Sequence, residues 1–374
     1  MKEKLSALRS KYIIDGIQQE LTPAQMLESV SGVHGQALSQ EDTAIPGRIV
    51  DESCSPGPSS FETDPDKVDK YLTRVLAAKK LPSMVFAAEF TRARIEQALI
   101  DCIWRVGHFS LVDLGIDAKW SWNDRKIGNM AALYSSVSAA TEFADALGIG
   151  IRNYSESIGD CNLDIQADLR PGAGEESLVE QPFGSEKPRI GPASISCVLN
   201  PDPASWVVYI PFDTSSYRLG GSLLAQVLKA SPAVAPTVND PDYFIDCYEV
   251  VRELVEDGIL LSATTVCEGG LLAALKSMTT TRIGVEADLS DLRRAMSEDD
   301  PVRLLFSEVP GALVQIRDID FDYLDAELLL QDIAFYPLGH PVPGGNVKLH
   351  SSERSGIQNI LESLIRSQGS EGED

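Results

Sequence analysis

Apolar positions recur at helical spacing through most of the first half of the chain. Residues 5–21 carry an apolar residue every three or four positions, which predicts an N-terminal helix that ends near Thr22-Pro23, where a second helix is expected to begin. The segments 92–107 and 131–148 each have an amphipathic pattern that closes on a glycine, so both are predicted helices. Between them, residues 111–122 have strand-like character.

The second half alternates short apolar runs with amphipathic segments. Strands are expected in ISCVLN, WVVYIPF and ILLSATTV and near GVEADL, ALVQIRDI and IAFYPLG. Helices are expected after the glycine pair of RLGGSLLAQVLKA, after the cap Asp240-Pro241, and in GGLLAALKSM. Alternating helices and strands with mixed connections indicate an α/β or α+β sandwich.

Polar segments rich in glycine, proline and serine divide the chain. Residues 51–66 are expected to form a surface loop, and the connector 168–188 is expected to contain a domain boundary. Apolar residues from Ile357 to Ile365 predict one more helix, followed by a disordered acidic end, SQGSEGED. The predicted organisation is an N-terminal helix (1–24), an N-terminal domain (25–180), a C-terminal domain (181–345) and a helical, then disordered tail (346–374).

Composition and charge narrow the class of protein. The 374 residues are 43% hydrophobic and 24% charged, which suits a globular chain of about two domains. The formal charge of −24 disfavours binding to nucleic acid or to anionic membranes. The sequence shows no signal-peptide pattern and no apolar run of about 18 residues, and its six cysteines are far apart, so a cytoplasmic location with reduced thiols is expected.

Two glycine turns are candidate anion sites. In TTVCEGGLL (264–272) an apolar run meets Gly269-Gly270 and then a helical pattern, although this turn contains no lysine, arginine or histidine. The glycines are consistent with tight packing of a strand against a helix or with anion binding by free N–H groups at the helix start. The same two interpretations apply to Gly220-Gly221-Ser222.

Gln97 and Asp101 lie one turn apart on a predicted helix. They are either an exposed polar pair or the remnant of a metal site, since oxygen atoms of side chains are the ligands that Mg²⁺ prefers.

Residues from about 90 to 340 resemble the second synthetase unit of the phosphoribosylformylglycinamidine synthase family, in the aminoimidazole ribonucleotide synthetase superfamily. Several short segments occur in the family's order and together make the resemblance specific. They are QALIDCIW, AKWSW, LGIGIRNYSES, Arg218–Ser222 with Ala225-Gln226, Glu268–Leu271, and LFSEVPG at 305–311.

The resemblance implies a fold and an assembly. The implied fold has an N-terminal α/β half, whose sheet pairs with that of a second unit to close a barrel, and a C-terminal α/β sandwich. Because an isolated unit would expose sheet edges and an apolar face, a homodimer or a larger assembly is expected. The helix predicted at 355–366 is a further candidate contact with a protein partner.

The resemblance also implies that ligands for nucleotide and metal have changed. The family's glutamate and asparagine on the helix are Gln97 and Asp101 here, its Lys-Asp pair is Ser155-Glu156, and its His-Asp pair is Thr264-Thr265. Phosphoryl transfer depends on charge neutralisation by Mg²⁺ and by Lys or Arg, so these losses predict weak or absent catalysis. The residues implied to contact nucleotide are Glu156, Gly220, Gly221, Ser222, Thr265, Glu268, Gly269 and Gly270.

The resulting hypothesis is a pseudoenzyme, without a cofactor, that acts as a structural or interaction protein. A virion location is a second expectation, since viral and phage relatives of the family are known in structural or host-interaction roles. The alternative is an ATP-dependent purine-biosynthesis enzyme or accessory subunit that binds formylglycinamide ribonucleotide, with ATP and Mg²⁺ as cofactors.

Overall fold

The computed structural model describes residues 6–31, 44–47, 63–171, 194–230, 235–236 and 240–350, apart from Ser83, His108 and Ile127. Among these residues no helix is both long enough and apolar enough to cross a membrane. The predicted loop at 51–66 and the connector at 168–188 lie largely outside the described residues. The helix predicted at 355–366 lies entirely outside them.

The chain begins with a β-hairpin where a helix was predicted. Strands β1 (Lys11–Ile14) and β2 (Ile17–Gln18) pair antiparallel, and β1 also pairs in parallel with β3 (Ala44–Gly47). The helix prediction for 5–21 was therefore wrong, because Asp15 and Gly16 adopt positive φ angles of 51° and 82° and reverse the chain. Asp-Gly is a strong signal for a two-residue hairpin turn, and it overrides the helical spacing.

The second predicted helix is confirmed as α1 (Pro23–Ser31). Its start is fixed by a reciprocal cap. Thr22 Oγ1 accepts from the Gln25 N–H at 3.3 Å, and Gln25 Oε1 accepts from the Thr22 N–H at 2.8 Å. This capping box satisfies two backbone donors at the point where Pro23 begins the helix.

The three-stranded sheet of the N-terminal half has β4 (Leu114–Trp122) at its centre, between β5 (Gly150–Ile158) and β6 (Asn162–Leu169). β4 runs parallel to β5 and antiparallel to β6. Helices α3 (Ala87–Val106) and α4 (Asn129–Ala146) complete this half and bury apolar side chains in a core shared with Trp120 of β4. Helix α2 (Val68–Leu76) packs instead in a second core, with residues of the C-terminal half. The predictions of α3, β4 and α4 are confirmed.

The C-terminal half contains a six-stranded sheet in the order β12-β9-β11-β7-β10-β8. Its strands are β7 (Trp206–Pro211), β8 (Leu260–Val266), β9 (Ile283–Asp288), β10 (Gly311–Ile316), β11 (Tyr336–Pro343) and β12 (Val347–His350). Its helices are α5 (Leu223–Leu228), α6 (Pro241–Glu256), α7 (Gly270–Met278), α8 (Ser290–Met296), α9 (Pro301–Phe306) and α10 (Phe321–Leu330).

Both faces of the six-stranded sheet are buried. On β10, Val314 belongs to the core that contains α6, α10 and the N-terminal helices, whereas the adjacent Leu313 belongs to a second core that contains α7 and α9. Alternate side chains of a strand point to opposite faces, so the sheet lies between two helical layers. The predicted mixed α/β architecture is confirmed.

Several details of this half differ from the predictions, since helices α8, α9 and α10 were not predicted. Residues 195–200 form no strand, because their backbone groups bond to separate elements: the Ile195 N–H donates to Trp104 O, and the Leu199 N–H donates to Met278 O, both at 3.0 Å. The short strand β12 was not predicted. It pairs in parallel with β9, so the sheet continues past the predicted end of the domain at residue 345.

Candidate functional site

The candidate metal residues and one glycine turn meet where α3 packs against the end of β8. Thr265 donates its hydroxyl hydrogen to Asp101 Oδ1 and accepts a hydrogen bond from Trp104 Nε1 at 3.0 Å. The helix provides Asp101 and Trp104, and the strand provides the hydroxyl between them. The structure therefore brings together Asp101 and Thr265, which are 164 residues apart in the sequence.

Arg94 contacts two further residues of this site. Its Nη1 donates to Gln97 Oε1 at 3.2 Å, and its Nη2 forms an ion pair with Glu268. Arg94 lies three residues before Gln97, which places both side chains on one face of α3. Arg94 thus links Gln97 to the glycine turn after β8.

The surroundings of Asp101 oppose its ionisation. Desolvation raises the pKa of its carboxyl group above the usual value, although hydrogen bonds from Thr265 and Gln97 and the charges of Arg105 and Arg94 act in the opposite direction. One oxygen of its carboxyl group is bonded to Thr265, while the residue as a whole is exposed to solvent. An open cavity of about 330 Å³ adjoins it, lined by residues that include Lys79, Arg94, Gln97, Asp101, Asn162 and Asp164.

The glycine turns are tightly packed. Gly269 and Gly270 have φ angles of 83° and 73°, and a Cβ added at Gly270 would lie 2.5 Å from Leu305 O. In the other turn Gly221 has a φ angle of 66°, and Ser222 Oγ caps α5 by accepting from the Ala225 N–H at 3.2 Å. Backbone conformation and close packing are sufficient to require glycine at Gly270.

A carboxylate of the protein joins the two turns. Glu308 Oε1 accepts hydrogen bonds from the Leu223 N–H at 2.8 Å and from the Gly269 N–H at 2.9 Å. The other oxygen of Glu308 is paired with Lys80, and the side chains are only 8% and 10% exposed. Backbone N–H groups beside both glycine turns are therefore already bonded to an internal anion.

Glu156 lies against the N-terminal segment of the chain. Its carboxylate accepts from the Ser6 hydroxyl and from the Leu8 N–H, the latter at 3.0 Å. It borders an open cavity of about 780 Å³ whose lining includes Trp120 and Trp122. Within the described part of the chain, the side-chain hydrogen bonds of Glu156 go to Ser6 and Leu8, and none goes to the Asp101 site.

The side chains at the α3–β8 junction fit Mg²⁺ poorly. Of the three residues in the family's ligand positions, only Asp101 is a carboxylate, while Gln97 Oε1 accepts from Arg94 and Thr265 Oγ1 accepts from Trp104. Mg²⁺ in proteins demands near-octahedral oxygen coordination and is usually held by one or two carboxylates together with substrate phosphates. Within the described ranges, no group of three or more His, Cys, Asp or Glu side chains is arranged to hold a metal ion.

Four residues of this site were not singled out from the sequence: Lys79, Lys80, Arg94 and Glu308. Arg94 had a usable signal, since it lies one turn before Gln97 on the same predicted helix. Glu308 stands in LFSEVPG, one of the segments that carry the family resemblance. Lys79 and Lys80 follow α2 and had no local signal.

Comparison with known proteins defines the class of fold. No protein-family model matches the chain. The structure of PurL from Thermotoga maritima complexed with FGAR matches with a TM-score of 0.52 and 11% identity, over 73% of this chain and 42% of PurL. The structure of PurLQS from the same organism matches with a TM-score of 0.50 and 12% identity, over 73% of this chain and 40% of the matched one. The chain therefore shares the fold of the matched part of PurL.

The sequence relationship is more specific. Human phosphoribosylformylglycinamidine synthase is 22% identical over 247 residues, which is 66% of this chain and 18% of the human protein. The chain is a distant relative of phosphoribosylformylglycinamidine synthase. It spans less than a fifth of the length of that relative.

Proposed function

We propose that this chain is a non-catalytic relative of phosphoribosylformylglycinamidine synthase that acts as a structural or interaction protein. The observation that carries the proposal is the position of Glu308. Its carboxylate accepts from the N–H of Gly269, which the resemblance implies to contact nucleotide, and from the N–H of Leu223, which follows the implied contact Ser222. A phosphate at this position would have to displace a buried carboxylate and its Lys80 partner.

The charges around the cleft support the same proposal. Arg94 is paired with Glu268 and Lys80 with Glu308, so these two cations near the glycine turns already have carboxylate partners. Phosphoryl transfer depends on cations and Mg²⁺ that neutralise the transferring group. The poor fit of Gln97, Asp101 and Thr265 to Mg²⁺ removes the other source of positive charge.

The proposed working form is a homodimer or larger assembly in the cytoplasm or, for a viral protein, in the virion. The three-stranded sheet supports this proposal, because its outer strands β5 and β6 each pair with β4 on one side. Outer strands offer unpaired backbone groups to a second copy. Pairing of two such sheets would close the barrel implied by the resemblance.

The test is a measurement of ATP binding and turnover. With ATP and Mg²⁺ we expect flat calorimetric titrations and no release of ADP or phosphate above the rate of a buffer control. Sedimentation of the same sample should show a stable oligomer. Micromolar ATP affinity together with turnover would contradict the proposal.

The second candidate is an ATP-dependent purine-biosynthesis enzyme or accessory subunit that binds formylglycinamide ribonucleotide. It is favoured by one observation, namely that Lys79, Arg94 and Asp101 line the same cavity. If it is correct, ATP binding should depend on Mg²⁺ and be lost in Asp101→Ala, whereas Glu156→Ala, which does not line this cavity, should retain it.

Restoration of carboxylates provides a gain-of-function prediction. In the double variant Gln97→Glu/Thr265→Asp, three carboxylates would meet at the α3–β8 junction, so we expect Mg²⁺ binding that is at least about tenfold tighter than in the natural chain, a gain of about 1.4 kcal/mol. Calorimetry with MgCl₂ measures it. The matched control is Gln226→Glu/Thr279→Asp, which adds the same charge away from Asp101 and should not change Mg²⁺ affinity. Equal affinities in both double variants would show that the lost carboxylates are not what prevents binding.

A further inference from the structure

Helix α10 has an apolar outer face. Its inner residues Leu324 and Leu328 are fully buried in the core, yet large apolar side chains lie on the opposite side. Ile319, Leu329 and Leu330 are 83%, 64% and 76% exposed, and Tyr323 is 42% exposed. We name Ile319, Tyr323, Ala326 and Leu330 the α10 stripe.

The spacing of the α10 stripe is that of a helical contact face. Tyr323, Ala326 and Leu330 follow one another at intervals of three and four residues, which aligns them along one side of α10, and Ile319 lies in the 3-10 turn just before this helix. Exposed apolar residues scattered singly are ordinary, whereas a contiguous exposed stripe marks an interaction site. An α10 of ten residues is about 15 Å long, so its stripe matches about three turns of a second helix.

Acidic residues predominate around the α10 stripe, and the cation next to it in the sequence, Arg317, is already paired with Asp320. Between residues 318 and 332 the chain has no lysine, arginine or histidine, and its acidic residues are Asp318, Asp320, Asp322, Asp325, Glu327 and Asp332. The neighbouring end of α6 adds Asp257, whose Oδ2 accepts from the Tyr323 hydroxyl at 2.6 Å. That hydrogen bond, followed by burial and by the charges of Asp257, Glu327 and Glu253, raises the pKa of Tyr323 to about 12.

We propose that the α10 stripe is a docking surface for a basic amphipathic helix of another protein. The apolar side of such a helix would cover Ile319, Tyr323 and Leu330, and its Lys or Arg residues would face the surrounding carboxylates. A second copy of this chain is disfavoured as the occupant, because the same carboxylates would then oppose one another across the contact. Nucleic acid and anionic membranes are disfavoured by the same charges.

The probe for this surface is a synthetic peptide of about 15 residues, composed of leucine and lysine at amphipathic helical spacing and labelled for fluorescence anisotropy. We expect the full-length protein to bind it with an affinity that falls as salt increases. A peptide of the same pattern with glutamate in place of lysine should not bind. Ile319→Asn/Leu330→Asn should weaken binding by at least about tenfold, equivalent to about 1.4 kcal/mol.

Two further variants test whether binding depends on the α10 stripe itself, rather than on any exposed apolar residue, and whether it depends on the nearby carboxylates. Ile17→Asn/Val112→Asn replaces two residues that are 68% and 66% exposed elsewhere on the surface and should leave peptide binding unchanged. Asp322→Asn/Glu327→Gln should weaken binding and reduce its salt dependence. Equal binding by the stripe and control variants, equal binding of the glutamate peptide, or no binding at all would overturn the proposal.

Sedimentation tests the alternative that a second copy of this chain covers the α10 stripe. If Ile319→Asn/Leu330→Asn dissociates an oligomer that Ile17→Asn/Val112→Asn leaves intact, the face is an interface between copies and the proposal is wrong. The outcome is independent of the ATP experiments, since the α10 stripe shares no residue with the Asp101 site.

Discussion

Replacing Glu308 with alanine is expected to lower the free energy of unfolding by about 3–5 kcal/mol, the usual cost of removing one member of a buried ion pair. The variant would leave the nearly buried Lys80 ammonium without its carboxylate. It would also leave the Leu223 and Gly269 N–H groups without their acceptor. Urea denaturation followed by tryptophan fluorescence measures the loss.

Glu268→Ala is the matched control for this prediction. Glu268 belongs to the same site but its ion pair with Arg94 is more exposed, at 29% and 23% for the two side chains. Partly exposed ion pairs contribute up to about 1 kcal/mol, so its loss should be several-fold smaller.

Lys80→Met should suppress part of the cost of Glu308→Ala in a double variant, because no uncompensated charge then remains. A loss no larger than that of Glu268→Ala would show that Glu308 does not hold the two turns together.

The opposite effect is expected at Glu96, one residue before Gln97. Glu96 is completely buried, and within the described residues neither of its carboxyl oxygens has a hydrogen-bond partner. A buried polar group without a partner costs about 1–3 kcal/mol, so Glu96→Leu should stabilise the protein by an amount of that order at neutral pH. Thermal or urea denaturation measures the gain.

The gain at Glu96 should depend on pH. Burial, followed by the charge of Asp213, raises the pKa of Glu96 well above its usual value. The folded state therefore holds this proton more tightly than the unfolded state, whose carboxyl groups titrate near pH 4.3. The stability from the protonated form is present below that pH and is lost as the pH rises through the folded-state pKa.

Glu96→Gln isolates the effect of charge, because its amide cannot ionise. Its advantage over the natural chain should be small near pH 4 and grow toward neutral pH. Glu89→Gln, on the same helix but partly exposed, serves as the control. A constant difference between Glu96→Gln and the natural chain at all pH values would mean that the pKa of Glu96 is the same in the folded and unfolded states.

Local patterns were sufficient for most of the elements. Apolar stripes, glycine stops and the Asp240 cap predicted α3, α4 and α6, since each signal lies within the element that it specifies. The N-terminal hairpin was missed because helical spacing was preferred to the Asp15-Gly16 turn. The pairing of Asp101 with Thr265 was predicted in part, through the family resemblance that assigned both to one ligand set.

The sequence by itself determined the alternation of helices and strands, the positions of the two glycine turns and the acidic character of the surface. Only the tertiary structure decided which charges meet at the site: Glu308 lies 85 residues from Leu223 and 228 residues from Lys80. Local propensity carries no information over such separations. The contact is set by the way in which α2, α5, α7 and the segment before β10 pack on one face of the sheet, where a buried carboxylate requires donors and a cation nearby.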